Sequence, residues 1–269
     1  MKRLTPSEIK EMQLDILSTI ADFCQRNHLR YYLYYGTLIG AIRHNGYIPW
    51  DDDVDIIMPR PDYEKFIKTF NDSSKAYKVL DDRISTGYYL DFAKVHNPKT
   101  IIESEFSKEK SFGVFVDIFP FDGVKEVLSG KIQFKSVYLL TKFRIAKEFT
   151  WWKKRTLLTN LGIYFFKAVL FAVPVTWILN GIRKIASAVP FDKSKNVGLL
   201  AEVHSTNSYV PRRCLGKGKL HVFEDRQFII PDDYDTCLRN NYGDYMKLPP
   251  KEEQVGHPQI AYWKDEQTM

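Results

Sequence analysis

A chain of 269 residues, 44% hydrophobic and 27% charged, has the make-up of a soluble protein that can bury a core, which excludes fibrous and disordered classes. Its three cysteines, Cys24, Cys214 and Cys237, are far apart, so neither a disulfide framework nor a zinc site is expected, and reduced thiols in a cytoplasm are. A net charge of +6 and an aromatic share of 14% fit attraction to something anionic, such as a nucleotide, a phosphorylated polymer or a lipid surface.

The N-terminus reads MKRLTPSEIKEM, has no apolar run, and gives no expectation of a secretory leader. Thr5, Pro6 and Glu8 predict a capped helix start, after which Ile9, Met12, Ile16, Ile20 and Phe23 recur at helical spacing. A strand is predicted over Arg30–Tyr35, stopped by Gly36-Thr37, then a short helix over Leu38–His44 and a turn at Asn45-Gly46. Residues 51–58 read as a strand, and Pro61 opens a helix carrying Tyr63, Phe66, Ile67 and Phe70. Short β-like runs follow between 77 and 106, including Tyr88–Val95 and Thr100–Glu103, and then a strand over Gly113–Phe119 ended by Pro120. From about 125 to 190 the chain is helical in character, basic and aromatic, with Trp151-Trp152-Lys153-Lys154-Arg155 leading into Leu157–Ile182. His221–Glu224 and Gln227–Ile230 predict strands, with a helix from about Asp232. The expected plan is an α/β catalytic core over 1–125, a helical insertion over 126–200, and a C-terminal segment over 201–269 that completes the site.

Alternate residues of a strand share a face, so Asp53 and Asp55 are expected side by side while Val54 and Ile56 enter a core. Adjacent carboxylates resist joint ionisation without a cation, and hard oxygen ligands suit magnesium or manganese. The competing reading, a solvated acidic turn, fits poorly with Pro49-Trp50 before the run and Ile56-Ile57-Met58 after it. Asp117 interrupts the apolar run 114–119, where an acid is costly unless paired, hydrogen-bonded or metal-bound. As a third acid it can share a metal or take the proton of an attacking hydroxyl; as a plain structural residue it would cap the next turn. Gly36 and Thr37 open a helix whose free N–H groups can hold a phosphate.

Gly36-Thr37-Leu38-Ile39-Gly40-Ala41 with Arg43, followed by Pro49-Trp50-Asp51-Asp52-Asp53-Val54-Asp55, resembles the LicD family of the nucleotidyltransferase superfamily. Val116-Asp117-Ile118-Phe119-Pro120 with Asp122 is similar to that family's second block, and Tyr242-Gly243-Asp244-Tyr245-Met246 with Pro249 to its C-terminal block. The likeness is strong over about 30–125, patchy over 220–263 and weak between. It implies a nucleotidyltransferase-like mixed sheet with flanking helices, and a divalent metal, Mg2+ or Mn2+, on Asp53, Asp55 and Asp117. It also implies transfer of phosphocholine from CDP-choline to a sugar hydroxyl of a teichoic acid or lipopolysaccharide type glycan. Members of the related fukutin group move ribitol phosphate, so a CDP-alcohol is the firmer expectation than CDP-choline itself. Arg43 and Lys94 are candidate phosphate contacts, each with an ordinary surface cation as its alternative. Glu224 is a further candidate from the C-terminal segment, and His257 reads as a surface or structural histidine.

Leu157–Ile182 is apolar but interrupted by Asn160, Lys167 and Pro174, which disfavours a simple span. Buried helices and peripheral membrane contact are both open, and a lipid-linked acceptor at the inner face of the cytoplasmic membrane tilts the balance to the second. No nucleic-acid partner is expected. A nucleotide-sugar glycosyltransferase with an Asp-x-Asp motif is disfavoured, because only one helix, one strand and a turn precede Asp53. A non-catalytic module for an anionic polymer gains nothing from three clustered carboxylates. Transfer of the nucleotide itself would use the same metal site.

Overall fold

The computed structural model describes residues 1–103, 112–125, 127–148, 171–200, 209–256 and 259–265, with the isolated positions 161, 164 and 168. Helix α1, Pro6–Asn27, starts at the expected capping box: the Thr5 hydroxyl accepts from the Glu8 N–H, and the Glu8 carboxylate accepts from the Thr5 N–H. Its buried stripe ends at Phe23 and Cys24, and Phe23 packs edge-on against Phe66 and Phe70 of helix α3, Arg60–Ser73, at centroid distances of 5.4 and 5.2 Å. Burying a ring of this kind stabilises the fold by about 2–3 kcal/mol.

Strand β1 covers only Tyr32–Leu33, and helix α2 begins at once, running Tyr35–His44 and ending at Asn45 in the left-handed conformation. The predicted strand at 30–35 is thus shorter and the helix longer than the residue pattern gives, because Tyr35 takes a positive φ of 48° that turns the chain into the helix. Strand β2 is Asp55–Pro59, β3 Lys78–Leu80, β4 Ala93–His96, β5 Thr100–Ile102 and β6 Phe115–Val124. β2 therefore begins four residues later than the predicted start at 51, and the acids before it lie in a loop. Tyr88–Val95 contributes only its last part to a strand.

The main sheet runs β1-β2-β6-β4-β3, with β2 and β6 parallel and the other pairs antiparallel. β6 does not stop at Pro120. Its first half pairs with β4 through Ile118, and from Asp122 it pairs with β7, Asn196–Gly198, which in turn pairs with β8, Tyr209–Pro211. The Asp117 N–H points to β2, where it donates to Val54, so by alternation position 120 faces the edge where β4 ends and β7 has not begun. A missing N–H costs no ladder bond there.

Helix α4, Val127–Glu148, and helix α5, Val175–Ala186, pack on each other, burying Phe134, Val137, Ile178 and Ile182 in a cluster separate from the main core. β9, Lys219–Phe223, and β10, Arg226–Ile230, take the place of the two predicted strands and pair as an antiparallel hairpin, with Glu224 in the turn, and helix α6, Tyr234–Tyr242, follows with Asp233 as its N-cap. β11, Ala261–Trp263, returns to pair with β5. The result is a mixed α/β fold with a helix-flanked mixed sheet, as a nucleotidyltransferase-like architecture requires. No helix among the described residues is long and apolar enough to cross a membrane. The Trp151–Arg155 run, most of 157–170 and His257 lie outside the described residues.

Candidate active site

Asp55, the first residue of β2, is the register partner of Asp117 on parallel β6, and Asp117 is the register partner of Lys94 on β4. Register partners on neighbouring strands share a face, so two carboxylates and one ammonium form a row across three strands. Asp117 and Lys94 are both buried, and Lys94 Nζ donates to Asp117 Oδ1 at 2.5 Å. The same ammonium lies 3.5 Å from the centroid of the Phe115 ring. Lys94 is thus no surface cation: it supplies the charge that a carboxylate in an apolar strand requires.

Asp53 sits two residues before Asp55 in the same alternation, exposed, while Val54 and Ile56 between and after them are fully buried. The alternation of exposed and buried positions thus continues back through Asp53, although that residue precedes the strand. Asp53 Oδ1 accepts from Gln259 Nε2 at 2.6 Å, and the Asp52 carbonyl accepts from Gln13 Nε2 at 2.8 Å. A C-terminal residue and a helix α1 residue therefore hold the acidic loop from two sides. Asp51 is pushed up to about 6 by burial first and by the neighbouring Asp53 charge second. An acidic group so crowded calls for a cation.

Thr37 is buried in the first turn of α2, and its hydroxyl accepts from the Asp55 N–H at 2.8 Å, fixing where β2 begins. Gly36 beside it is needed for close approach: a Cβ there would stand 2.3 Å from Asp51 Oδ2. The Asp51 carboxylate thus already lies against the helix start that a phosphate would use.

Helix α6 brings Tyr242 to the same place. The side chain is 44% exposed, and loss of solvent around its hydroxyl first, then the charges of Asp55 and Asp51, push its phenol up. Arg43 ties α2 to the segment after α6, with Nη1 donating to the Tyr245 carbonyl at 2.6 Å. Glu224 does not join the acids. Its Oε1 accepts from the Tyr47 N–H at 2.9 Å and its own N–H donates to the Asn45 carbonyl, locking the hairpin onto the turn after α2. Glu224 instead lines a groove of about 560 Å³ with Ser7, Lys10, Tyr47 and Arg226. Asp122 is fully buried in a two-pronged ion pair with Arg60, at 2.7 and 2.6 Å, and acts structurally.

Among the described residues no three His, Cys, Asp or Glu side chains stand close enough together to hold a metal ion. The donor set nevertheless fits a hard divalent cation: all oxygens, two of them on register-paired residues, next to an acid whose ionisation its neighbours oppose. Gln259, Tyr242 and Asp51 escaped the sequence reading as site members. Asp51 stood within the acidic run, but a lone glutamine 206 positions after Asp53 gives no local signal.

The sequence profile described as LicD/FKTN/FKRP, nucleotidyltransferase domain, matches residues 28–161. The chain is 33% identical over 266 residues to a lipopolysaccharide cholinephosphotransferase LicD of Haemophilus influenzae, covering 96% of this chain and 97% of that protein. It is also 40% identical over 57 residues to an uncharacterized protein of Rickettsia typhi, covering 21% and 18% of the two chains. An uncharacterized protein of Rickettsia prowazekii is 29% identical over 96 residues, covering 35% and 32%.

Proposed function

The chain belongs to the LicD family, and from that premise we propose that it transfers phosphocholine from CDP-choline to a sugar hydroxyl of a cell-surface glycan precursor, releasing CMP. The coarser reading, a phosphotransferase that moves a phospho-alcohol from a CDP donor to a glycan, rests on the near full-length likeness to the Haemophilus influenzae enzyme. One observation carries it: the Asp55–Asp117–Lys94 row at the end of the sheet where the α2 start, the acidic loop and Tyr242 meet.

In this reading Asp53, Asp55 and Asp117 would hold a divalent cation, Mg2+ or Mn2+, and the cation would supply neutralisation of charge on the donor pyrophosphate. The acceptor oxygen attacks the phosphorus that bears the choline, and the P–O bond to CMP breaks with its electron pair leaving on CMP. Asp117 or a neighbour takes the hydroxyl proton, and the Lys94 hydrogen bond keeps the Asp117 carboxylate aimed. Gly36, Thr37 and Arg43 border the donor phosphates, and Thr37 sets the position of Asp55. Residues 126–200 form an insertion and 201–269 complete the site through Tyr242 and Gln259. The acceptor is carried on a lipid, which places the enzyme at the inner face of the cytoplasmic membrane.

The test is Mg2+-dependent CMP release from CDP-choline with a glycolipid acceptor. Asp53→Ala, Asp55→Asn and Asp117→Asn are each expected to lower it at least about a hundredfold, the scale of losing a charge-stabilising or proton-accepting group. Release from CDP-ribitol or CDP-glycerol but not CDP-choline would move the donor within the CDP-alcohols. Metal-independent release, or release untouched by all three substitutions, would defeat the site.

A further inference from the structure

Helix α4 turns its apolar side to α5 through Phe134 and Val137, yet its opposite side is not the usual solvated face. Lys131, Ile132, Lys135, Tyr138, Leu139 and Lys142 recur at helical spacing there, and all six are exposed. Ile132 is 60% and Leu139 53% exposed, so two large aliphatic side chains stand in water between lysines. Lys142 Nζ lies 5.0 Å from the Tyr138 ring centroid, so aromatic and cation already share the face. From 127 to 147 the helix carries no Asp or Glu to balance it. On neighbouring α5, Trp177 is 70% exposed, one turn before Gly181, the position that meets Leu140 of α4. Phe171, just ahead of α5, is 86% exposed. The helix pair thus leaves lysines, aliphatic side chains and aromatic rings exposed together on its outer surface.

We propose that this exposed surface of the α4–α5 pair, with the lysine-bearing side of α4 at its centre, docks the protein on the surface of an anionic lipid bilayer. The proposal deepens the lipid-linked acceptor reading by naming the surface that meets the lipid. Aliphatic side chains and Trp enter the headgroup boundary, while lysine stems lie along them and their ammonium groups meet lipid phosphates. Charge complementarity selects this occupant. A second copy of the chain would bring like lysines together across a two-fold axis, which repels. The contact proposed is peripheral; no helix among the described residues is long and apolar enough to cross a bilayer.

The experiment is co-sedimentation of the full-length protein with vesicles of phosphatidylcholine, alone or with about one third phosphatidylglycerol, at low and high salt. Binding is expected to the anionic vesicles and to weaken with salt. Lys131→Gln/Lys135→Gln/Lys142→Gln should weaken it about a hundredfold, since each lysine at a charged bilayer contributes several-fold. Lys68→Gln/Lys75→Gln/Lys217→Gln, an equal charge change on exposed lysines elsewhere, should weaken it only a few-fold. Leu139→Ser/Trp177→Ser should weaken it at every salt concentration. CMP release with a soluble acceptor should be unchanged in all of these variants, so a failure of docking is read apart from a failure of catalysis. The proposal is overturned if the wild type stays with the supernatant, or if the two lysine triples behave alike. It is equally overturned if sedimentation velocity without lipid shows a dimer that Leu139→Ser/Trp177→Ser dissociates, which would give the face to a second copy.

Discussion

His96, at the end of β4, shows how one buried side chain ties the stability of the sheet to pH. Its Nδ1 accepts from the Gly113 N–H at 3.1 Å, a bond that needs the unprotonated nitrogen. Burial first, and the charge of Lys264 second, bring its imidazole down from the usual 6.5 to about 4. Between those values the unfolded chain binds a proton that the folded chain refuses, so stability is full above 6.5 and is lost as pH falls towards 4. The gap corresponds to roughly 3 kcal/mol. Urea unfolding at pH 7 and pH 4.5 should show most of this loss in the wild type. His96→Asn keeps an acceptor near the Nδ1 position and should flatten that part of the pH dependence, though it lowers stability at pH 7 by leaving a gap. An equal acid loss in the variant would assign the effect to other groups. Nothing around His96 in the sequence announces this, since its partner is an amide 17 residues away.

At the scale of elements, the α4–α5 pair is joined to the core by charge as well as by its own apolar cluster. Arg183 of α5 reaches Asp82, which lies after β3, and Arg144 of α4 pairs with Asp91 at 3.3 Å. Both aspartates are nearly buried. Breaking one side of such a pair leaves a charge without its counter-ion, at a cost of about 3 kcal/mol, whereas removing both is far milder. Arg183→Met should therefore destabilise by about that amount, and Asp82→Asn/Arg183→Met should recover most of it. Thermal and urea unfolding of the double-mutant cycle checks this. A double variant no more stable than Arg183→Met would show that Arg183 acts through packing instead. The helical nature of this region was readable from its Leu, Phe and Lys content, but its docking was not, because Asp82 and Arg183 are 101 positions apart. By contrast, the capping box at Thr5 was legible residue by residue, and the two strands within 219–230 to within a residue or two, since their signals are local. Pro120 misled for the opposite reason: whether a proline ends a strand depends on which neighbour lies beside it, and β6 changes neighbours there.

Across the whole molecule, the acidic site is assembled from both ends of the chain. Asp53, Asp55 and Asp117 could be singled out because acids in apolar runs stand out, and the parallel pairing of β2 with β6 does bring Asp55 and Asp117 into register. Lys94 stood out only as a cation, and its partner became visible only with β4 laid against β6. Least legible was the support from the far end of the chain. β11 pairs with β5, and the stretch before it carries Gln259 to the acidic loop, where Nε2 donates to Asp53 Oδ1 at 2.6 Å and reaches the Asp52 carbonyl at 3.3 Å. A neutral donor on an ionised acid is worth about 1.5–3 kcal/mol. If Asp53 binds the cation, Gln259 aims the oxygen that is left free. Gln259→Leu should then lower CMP release roughly ten- to a hundredfold at limiting Mg2+ and raise the Mg2+ concentration needed for half-maximal rate. Gln254→Leu is the comparison, because that side chain donates to the Pro249 carbonyl and touches no acid of the row. It should leave the Mg2+ dependence unchanged. A Gln259→Leu protein that folds, loses activity and yet keeps the wild-type Mg2+ dependence would place Gln259 at the substrate rather than behind Asp53.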